Sequence, residues 1–251
     1  KIYPIFGGLP SLFLFCSDQA YRDRVREARA EFPGIGPVDA LEIRRGKRWV
    51  PVVKLWQIAD VRQGLATADD AHFLRKTPGV IPNARRRYMQ DVDMRCTVPL
   101  EKLSKIPEEH KKNGIPVTDK KRDRYFVPFD KGGEQDTEAG ELRAFWSPVD
   151  YWIDWSEQSV RELRKRAAFK PGTPKKAVIR NSDYYFREGV RFTEAGVYAP
   201  TFEMNFASVF GHTGNLILPY EKGATLYLLA TLSSPLIRYL AKNFFQSGIH
   251  A

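Results

Sequence analysis

The stretch from Tyr184 to Tyr220 constrains the fold most. It is a series of short runs in which Val, Phe, Tyr and Ile alternate with polar residues, cut at Glu194-Ala195-Gly196 and Gly211-His212-Thr213-Gly214. A period of two puts successive side chains on opposite faces of a sheet, and turns this close together join antiparallel neighbours. Residues 225–245 then read as two helices, with Ser234 capping the second and Pro235 at its first position, where a missing N–H costs little. Strands followed by helices predict an α+β fold: a curved, mostly antiparallel sheet with flanking helices.

Upstream segments fit that frame. Residues 18–32 read as a helix with a Tyr21, Val25, Ala28, Phe32 stripe, stopped by Pro33-Gly34. Residues 48–56 read as a strand, with Pro51 marking an edge or bulge, and 124–129 as a second short strand. Residues 98–123 are Lys-rich and broken by Pro107, Gly114 and Pro116, which predicts a surface loop. Residues 157–168 predict a helix. Ser159 and Glu162 have capping-box spacing, Val160, Leu163 and Ala167 face inward, and Arg161, Arg164, Lys165 and Arg166 crowd the outer side.

The formal net charge of +10 is unevenly distributed. Residues 75–131 and 158–191 each carry +7, residues 132–157 carry −6, and residues 192–251 are neutral. Two basic blocks suit a polyanion such as nucleic acid, because each neutralised phosphate releases counterions; a solvated basic surface is the plainer reading. Cys16 and Cys96 are the only cysteines, too few for a disulfide framework, so a reducing, cytoplasmic setting is expected. No apolar run reaches the roughly 18 residues of a membrane span. The histidines lack metal-ligand spacing to the cysteines. Lys1 opens without a methionine and Ala251 follows an apolar segment, so the chain is expected to be a piece of a longer protein.

Three constellations stand out. Trp56 to Arg75 is a strand, a Gly- and Asp-rich turn and a hydrophobic pair before an arginine; Asp69 and Asp70 read as turn caps in preference to catalytic carboxylates. Val127 to Glu134 contains Lys131-Gly132-Gly133, where backbone amides can approach a phosphate or a loop can hinge. Val178 to Phe192 mixes Arg180, Asn181 and Arg187 with tyrosines; the polar residues read as nucleic-acid contacts and the aromatics as core.

Together these segments resemble the C-terminal target-recognition region of adenine-specific DNA methyltransferases of the restriction–modification and BREX phage-defence type. The matching pieces are W-x-I-x-D-V-x-x-G-L-x-T-x-D-D-x-x-F-L-R at 56–75, P-F-D-K-G-G-E at 128–134, I-R-N-S-D-Y-Y-F-R-E-G-V at 179–190 and L-L-A-T-L-S-S-P-L-I-R-Y-L at 228–240. They occur in family order. Ala68 replaces the usual glycine, an acidic insert follows Lys131-Gly132-Gly133, and Ser233 stands where the family has asparagine.

The resemblance implies that residues 1–47 connect from a catalytic part and that 48–251 form a domain gripping double-stranded DNA in a prokaryotic cytoplasm. It implies Arg75, Lys131, Arg180, Asn181 and Arg187 as leading DNA contacts. Arg85, Arg86, Arg87, Arg161, Arg164, Lys165 and Arg166 are phosphate candidates. The chain lacks the Asn/Asp-Pro-Pro-Tyr/Phe tetrapeptide that holds a flipped adenine, and Phe6-Gly7-Gly8 lacks the helix a cofactor loop needs. S-adenosylmethionine and methyl transfer would therefore belong to the catalytic domain of the parent, and no catalytic, cofactor-binding or metal residue is assigned here.

Two other classes compete. Asp39-Ala40-Leu41-Glu42-Ile43-Arg44-Arg45-Gly46-Lys47 superficially suggests a metal-dependent nuclease, with its acids closer together than that chemistry needs. The neutral residues 192–251 could instead form a protein–protein interaction module of a phage-defence complex.

Overall fold

The computed structural model describes residues 13–15, 41–45, 48–55, 58–81, 88–131, 145–167, 177–193 and 201–240. The helix expected over 18–32, the arginines 85–87, the acidic insert after Lys131 and the turn at 194–196 lie outside them.

β1 (Phe13–Phe15), β2 (Leu41–Arg45) and β3 (Arg48–Lys54) form an antiparallel sheet in the order β1-β3-β2. Arg45 stands opposite Arg48, so pairing runs across the division expected after residue 47. β3 is the central strand, which corrects the edge reading drawn from Pro51. Among the described residues Pro51 stands opposite Glu42 of β2.

β4 (Ala59–Arg62) leads through a turn into the single-turn helix α1 (Asp70–Phe73) and then β5 (Leu74–Lys76). Beyond a 3-10 turn at Met94–Cys96 come α2 (Leu100–Leu103) and α3 (Glu108–Asn113). The surface loop expected over 98–123 thus holds two short helices, and 114–123 is loop. Pro99 and Pro107 start them from the N-cap position, where the absent N–H of proline costs no helical bond. Gly114, at φ +90°, ends α3 against Glu157, whose Cα would lie 2.7 Å from any Cβ placed there.

β6 (Phe126–Asp130) and β7 (Tyr151–Asp154) precede α4 (Glu157–Ala167). α4 begins two residues before Ser159, which corrects the capping-box assignment: Ser159 is buried inside the helix. Its first turn is instead closed by Ser156, whose carbonyl accepts from the Val160 N–H at 3.0 Å. Val160 and Leu163 are buried as their spacing requires, and the basic residues lie outward. A 3-10 turn at Ser182–Tyr184 leads into β8 (Gly189–Thr193), β9 (Phe202–Asn205), β10 (Val209–Phe210) and β11 (Gly214–Pro219). α5 (Thr225–Leu232) and α6 (Pro235–Leu240) follow, and Ser234 Oγ accepts from the Ile237 N–H as expected of its cap.

The described strands thus form three sheets in an α+β fold, mostly antiparallel. One four-stranded sheet has the order β10-β6-β7-β5, with β10 and β6 parallel; the other has the antiparallel order β4-β11-β8-β9. β11 is buried on both faces. Leu216 and Leu218 join Val127, Phe129 and Ile153 in a core between the two four-stranded sheets. Ile217 faces the other way, with Val190, Phe192 and Phe202 against Leu228, Leu229 and Leu232 of α5. Full burial of each such side chain is worth about 1.5–3 kcal/mol, so the two cores fix the β4-β11-β8-β9 sheet from both sides.

Between Val190 and Phe192, Arg191 therefore points toward the other sheet. Its guanidinium donates to Asp130 Oδ1 at 2.8 Å, to Glu203 Oε2 and to Ser147 Oγ. Burial opposes its charge, but Asp130 and Glu203 outweigh that and hold its pKa above the ordinary arginine value.

Candidate nucleic-acid interface

The β4 turn, the end of β6 and the segment before the Ser182–Tyr184 turn meet at one seam. Gln63 is its hub: its Nε2 donates to the His212 carbonyl at 3.0 Å, its Oε1 accepts from Arg180, and its own carbonyl accepts from Asn181 Nδ2 at 2.8 Å. Leu65 donates to the Phe210 carbonyl at 2.9 Å, and Ala66 and Val178 exchange backbone bonds. Lys131 places its ammonium on Asp70, whose other oxygen accepts from Thr67 Oγ1 at 2.5 Å, and the Lys131 carbonyl accepts from Thr213 Oγ1. Three motifs distant in sequence are joined by hydrogen bonds. The fourth supplies α5 and α6, behind the sheet.

This seam settles the two aspartates. Asp69 occupies the N-cap of α1, but its side chain makes no capping bond; the backbone carbonyl accepts from His72 and Phe73. Its Oδ2 instead accepts from Arg166 Nη1 at 2.9 Å, and Arg166 also holds Glu162 and lies 4.9 Å over the Phe73 ring. The expected side-chain capping is thus replaced by ion pairs to Arg166 and Lys131. Burial pushes the Lys131 ammonium down to about 8. His212 is also lowered, first by desolvation and then by Lys131.

The expected contacts divide by placement. Arg75 donates to the carbonyls of Ala71, His72 and Leu74, closing the C-terminal end of α1. Asn181 sits at φ 52°, a left-handed conformation that asparagine tolerates better than most residues, with its amide spent on Gln63. Arg75, Lys131, Asn181 and Arg166 therefore hold the scaffold. Arg161, Arg164, Lys165, Arg180 and Arg187 are exposed.

Some of these exposed cations are linked through α3. α3 packs against α4: Arg164 donates to the Lys112 carbonyl at 2.7 Å and to Asn113 Oδ1 at 2.8 Å. Lys112 reaches Asp183 at 2.9 Å, tying α3 to the 3-10 turn before Arg187. Tyr184 carries Arg187 5.1 Å from its ring centroid and Arg62 4.8 Å from it. Lys112 from the first basic block thus meets Arg164 from the second, with Arg161 and Lys165 exposed on the same helix and Arg187 beyond the turn; Asp183 and Glu157 pair with Lys112 and Arg161 there. Lys112 escaped the sequence reading because the surrounding prolines hid the helix that presents it.

Among the described residues no group of three or more His, Cys, Asp or Glu side chains could hold a metal ion. Asp39 of the nuclease-like segment lies outside those residues. Gly79 and Gly223 turn in open space, Gly114 ends a helix, and Gly64, Gly189 and Gly211 lie against neighbouring strands. No helix of the described residues is long and apolar enough to cross a membrane. No protein-family model matches the chain, and no curated protein matches it.

Proposed function

We propose that this chain is the DNA target-recognition region of an adenine-specific DNA methyltransferase of the restriction–modification or BREX type. The observation that carries the reading is the meeting of two basic blocks, separated in sequence by an acidic stretch, on the face built by α3, α4 and the Ser182–Tyr184 turn. Exposed arginines and lysines there are the side chains that neutralise a duplex backbone, and the bonds of Arg164 to α3 and of Lys112 to Asp183 hold them in relation. Arg180 and Arg187, beside that seam, are the candidates for reading base edges. Lys112, Arg161, Arg164 and Lys165 are the phosphate contacts. Methyl transfer and S-adenosylmethionine belong, in this reading, to a catalytic part of the parent protein outside this chain.

The test is selection from a random duplex pool, followed by anisotropy titration of the winning and scrambled duplexes. Arg161→Ala with Lys165→Ala is expected to weaken both duplexes alike. Arg187→Ala is expected to narrow the gap between them by roughly 1–3 kcal/mol. Recovery of no preferred sequence, together with unchanged affinity in both variants, refutes the assignment.

A further inference from the structure

A cleft of about 680 Å³ opens between β6–β7 and β8–β9, closed on a third side by the Met94–Cys96 turn and α2. Met94, Leu100, Trp146 and Phe206 line it, and each is half exposed or more. Large apolar side chains grouped at a surface mark a place where something docks. Charge decides what enters. Every charged side chain of the lining is already engaged: Arg191 holds Asp130 and Glu203, Lys131 sits on Asp70, and Asp150 is held as well. The mouth adds none, since residues 96–100, 145–149 and 204–210 hold no charged side chain in a chain where 28% are charged. A charge brought in would lose its water and meet no free counter-charge. The part of the occupant that enters is therefore uncharged and apolar.

The backbone beside the cleft suits a polypeptide. β9 is the outer strand of its sheet. Its outward edge is met at one place: Phe145 bridges to Glu203, its N–H donating to the Phe202 carbonyl at 3.1 Å and its carbonyl accepting from the Met204 N–H at 2.8 Å. In an antiparallel ladder the N–H and C=O of one residue point to the same side, so the Met204 carbonyl also points outward. Beyond Phe145 no described strand runs along this edge. An unpaired edge beside apolar pockets is how sheets take up extended peptides: main-chain bonds give affinity, and pockets for alternate side chains give selection. Phe145 at φ 67° and Ala207 at φ 53° hold left-handed conformations that few side chains adopt, and each adjoins an aromatic of the mouth, Trp146 or Phe206. Such strain clusters at ligand sites. A second copy of the chain is disfavoured as the occupant, because each carries a formal +10 and two such chains repel.

We infer that this cleft docks an extended, uncharged apolar segment of a partner polypeptide, its backbone against the β9 edge beyond Phe145 and an apolar side chain seated against Trp146 and Phe206. The inference rests on the cleft and the strand edge and does not require the DNA reading.

Panning a random heptapeptide display library on the immobilised chain tests it, after depletion on the Trp146→Ala chain to remove peptides that bind elsewhere. Recovered peptides are expected to carry apolar residues at alternate positions with no charge between them. Calorimetry with synthetic copies then reads affinity. Phe206→Ala, at an exposed position, should keep the circular dichroism spectrum and bind them at least about fivefold more weakly. Methylating each peptide N–H in turn should find a position that weakens binding about fivefold, the loss of one main-chain bond. A central lysine or aspartate in the peptide should weaken it more than about tenfold. Recovery of no peptide, recovery of charged ones, or wild-type affinity in Phe206→Ala overturns the inference, and indifference to methylation at every position overturns the β9 pose. Self-association seen by light scattering and abolished by Trp146→Ala overturns the choice of a partner over a second copy. Peptide binding that persists in a chain unable to bind duplex would remove the DNA proposal and leave this one standing.

Discussion

Gly64→Ala probes the seam directly. A Cβ at Gly64 would lie 1.8 Å from the Phe210 carbonyl oxygen and 2.6 Å from both its carbonyl carbon and its Cδ2. Backbone cannot yield as a flexible side-chain tip can, so the β4 turn must retreat from β10. That retreat breaks the Leu65 N–H bond to Phe210 at 2.9 Å and the Gly64 N–H bond to Gly211 at 3.3 Å. Each lost backbone bond costs about 1 kcal/mol, and the forced displacement about 1–3 kcal/mol more. The expected destabilisation is about 3–5 kcal/mol, a fall in melting temperature of roughly 6–20 °C for a chain of this size. Urea denaturation and calorimetry of the purified chain read it. Gly79→Ala is the control: Gly79 has φ +85° but open space around it, so only backbone strain of about 1 kcal/mol is expected there. If Gly64→Ala costs no more than Gly79→Ala, the close approach that joins the motifs is not as described.

Three further outcomes follow. Arg191→Met leaves Asp130 and Glu203 buried without their shared cation and should cost about 3–5 kcal/mol in urea denaturation, whereas Arg191→Met with Asp130→Asn and Glu203→Gln should recover most of it. Lys131, lowered by burial to about 8, holds its proton less tightly folded than unfolded. Unfolding then binds a proton between about pH 8 and 10, so the wild type should gain stability relative to Lys131→Met across that window; a flat difference from pH 7 to 10 contradicts the burial. Arg75→Ala, which strips the C-terminal end of α1 of its donor, should destabilise by about 1–2 kcal/mol while leaving duplex affinity within twofold; anisotropy and urea curves separate the two effects.

Segments whose periodicity matched their burial were legible from sequence. α4 follows from Val160 and Leu163, and α5 and α6 from their apolar runs and the Ser234-Pro235 start. What sequence could not supply was the second layer. Alternation around Val190 and Phe192 marks Arg191 as solvent-facing by the usual rule. Its side chain is largely covered, 17% exposed, because the β4-β11-β8-β9 sheet is covered on both sides. Asn181 has a side chain suited to reading base edges, yet it sits in a left-handed turn with its amide donating to the Gln63 carbonyl, and no periodicity signals that. Pro107 reads as a breaker and acts as a helix start, and Pro99 also starts a helix. The exposed residues among the expected contacts, Arg161, Arg164, Lys165, Arg180 and Arg187, all lie in the second charge block; that Lys112 meets Arg164 depends on the packing of α3 against α4.

The most direct test of the account is the dependence of duplex affinity on salt. With Lys112, Arg161, Arg164, Lys165 and Arg187 exposed about α3, α4 and the Ser182–Tyr184 turn, and Arg180 exposed at the seam, about three to six phosphates are neutralised. The logarithm of the association constant should then fall against the logarithm of salt concentration with a slope of roughly −3 to −5. Arg161→Ala with Lys165→Ala should flatten that slope by about 1–2. A slope flatter than about −1, or one the double variant leaves unchanged, would contradict a DNA-gripping face.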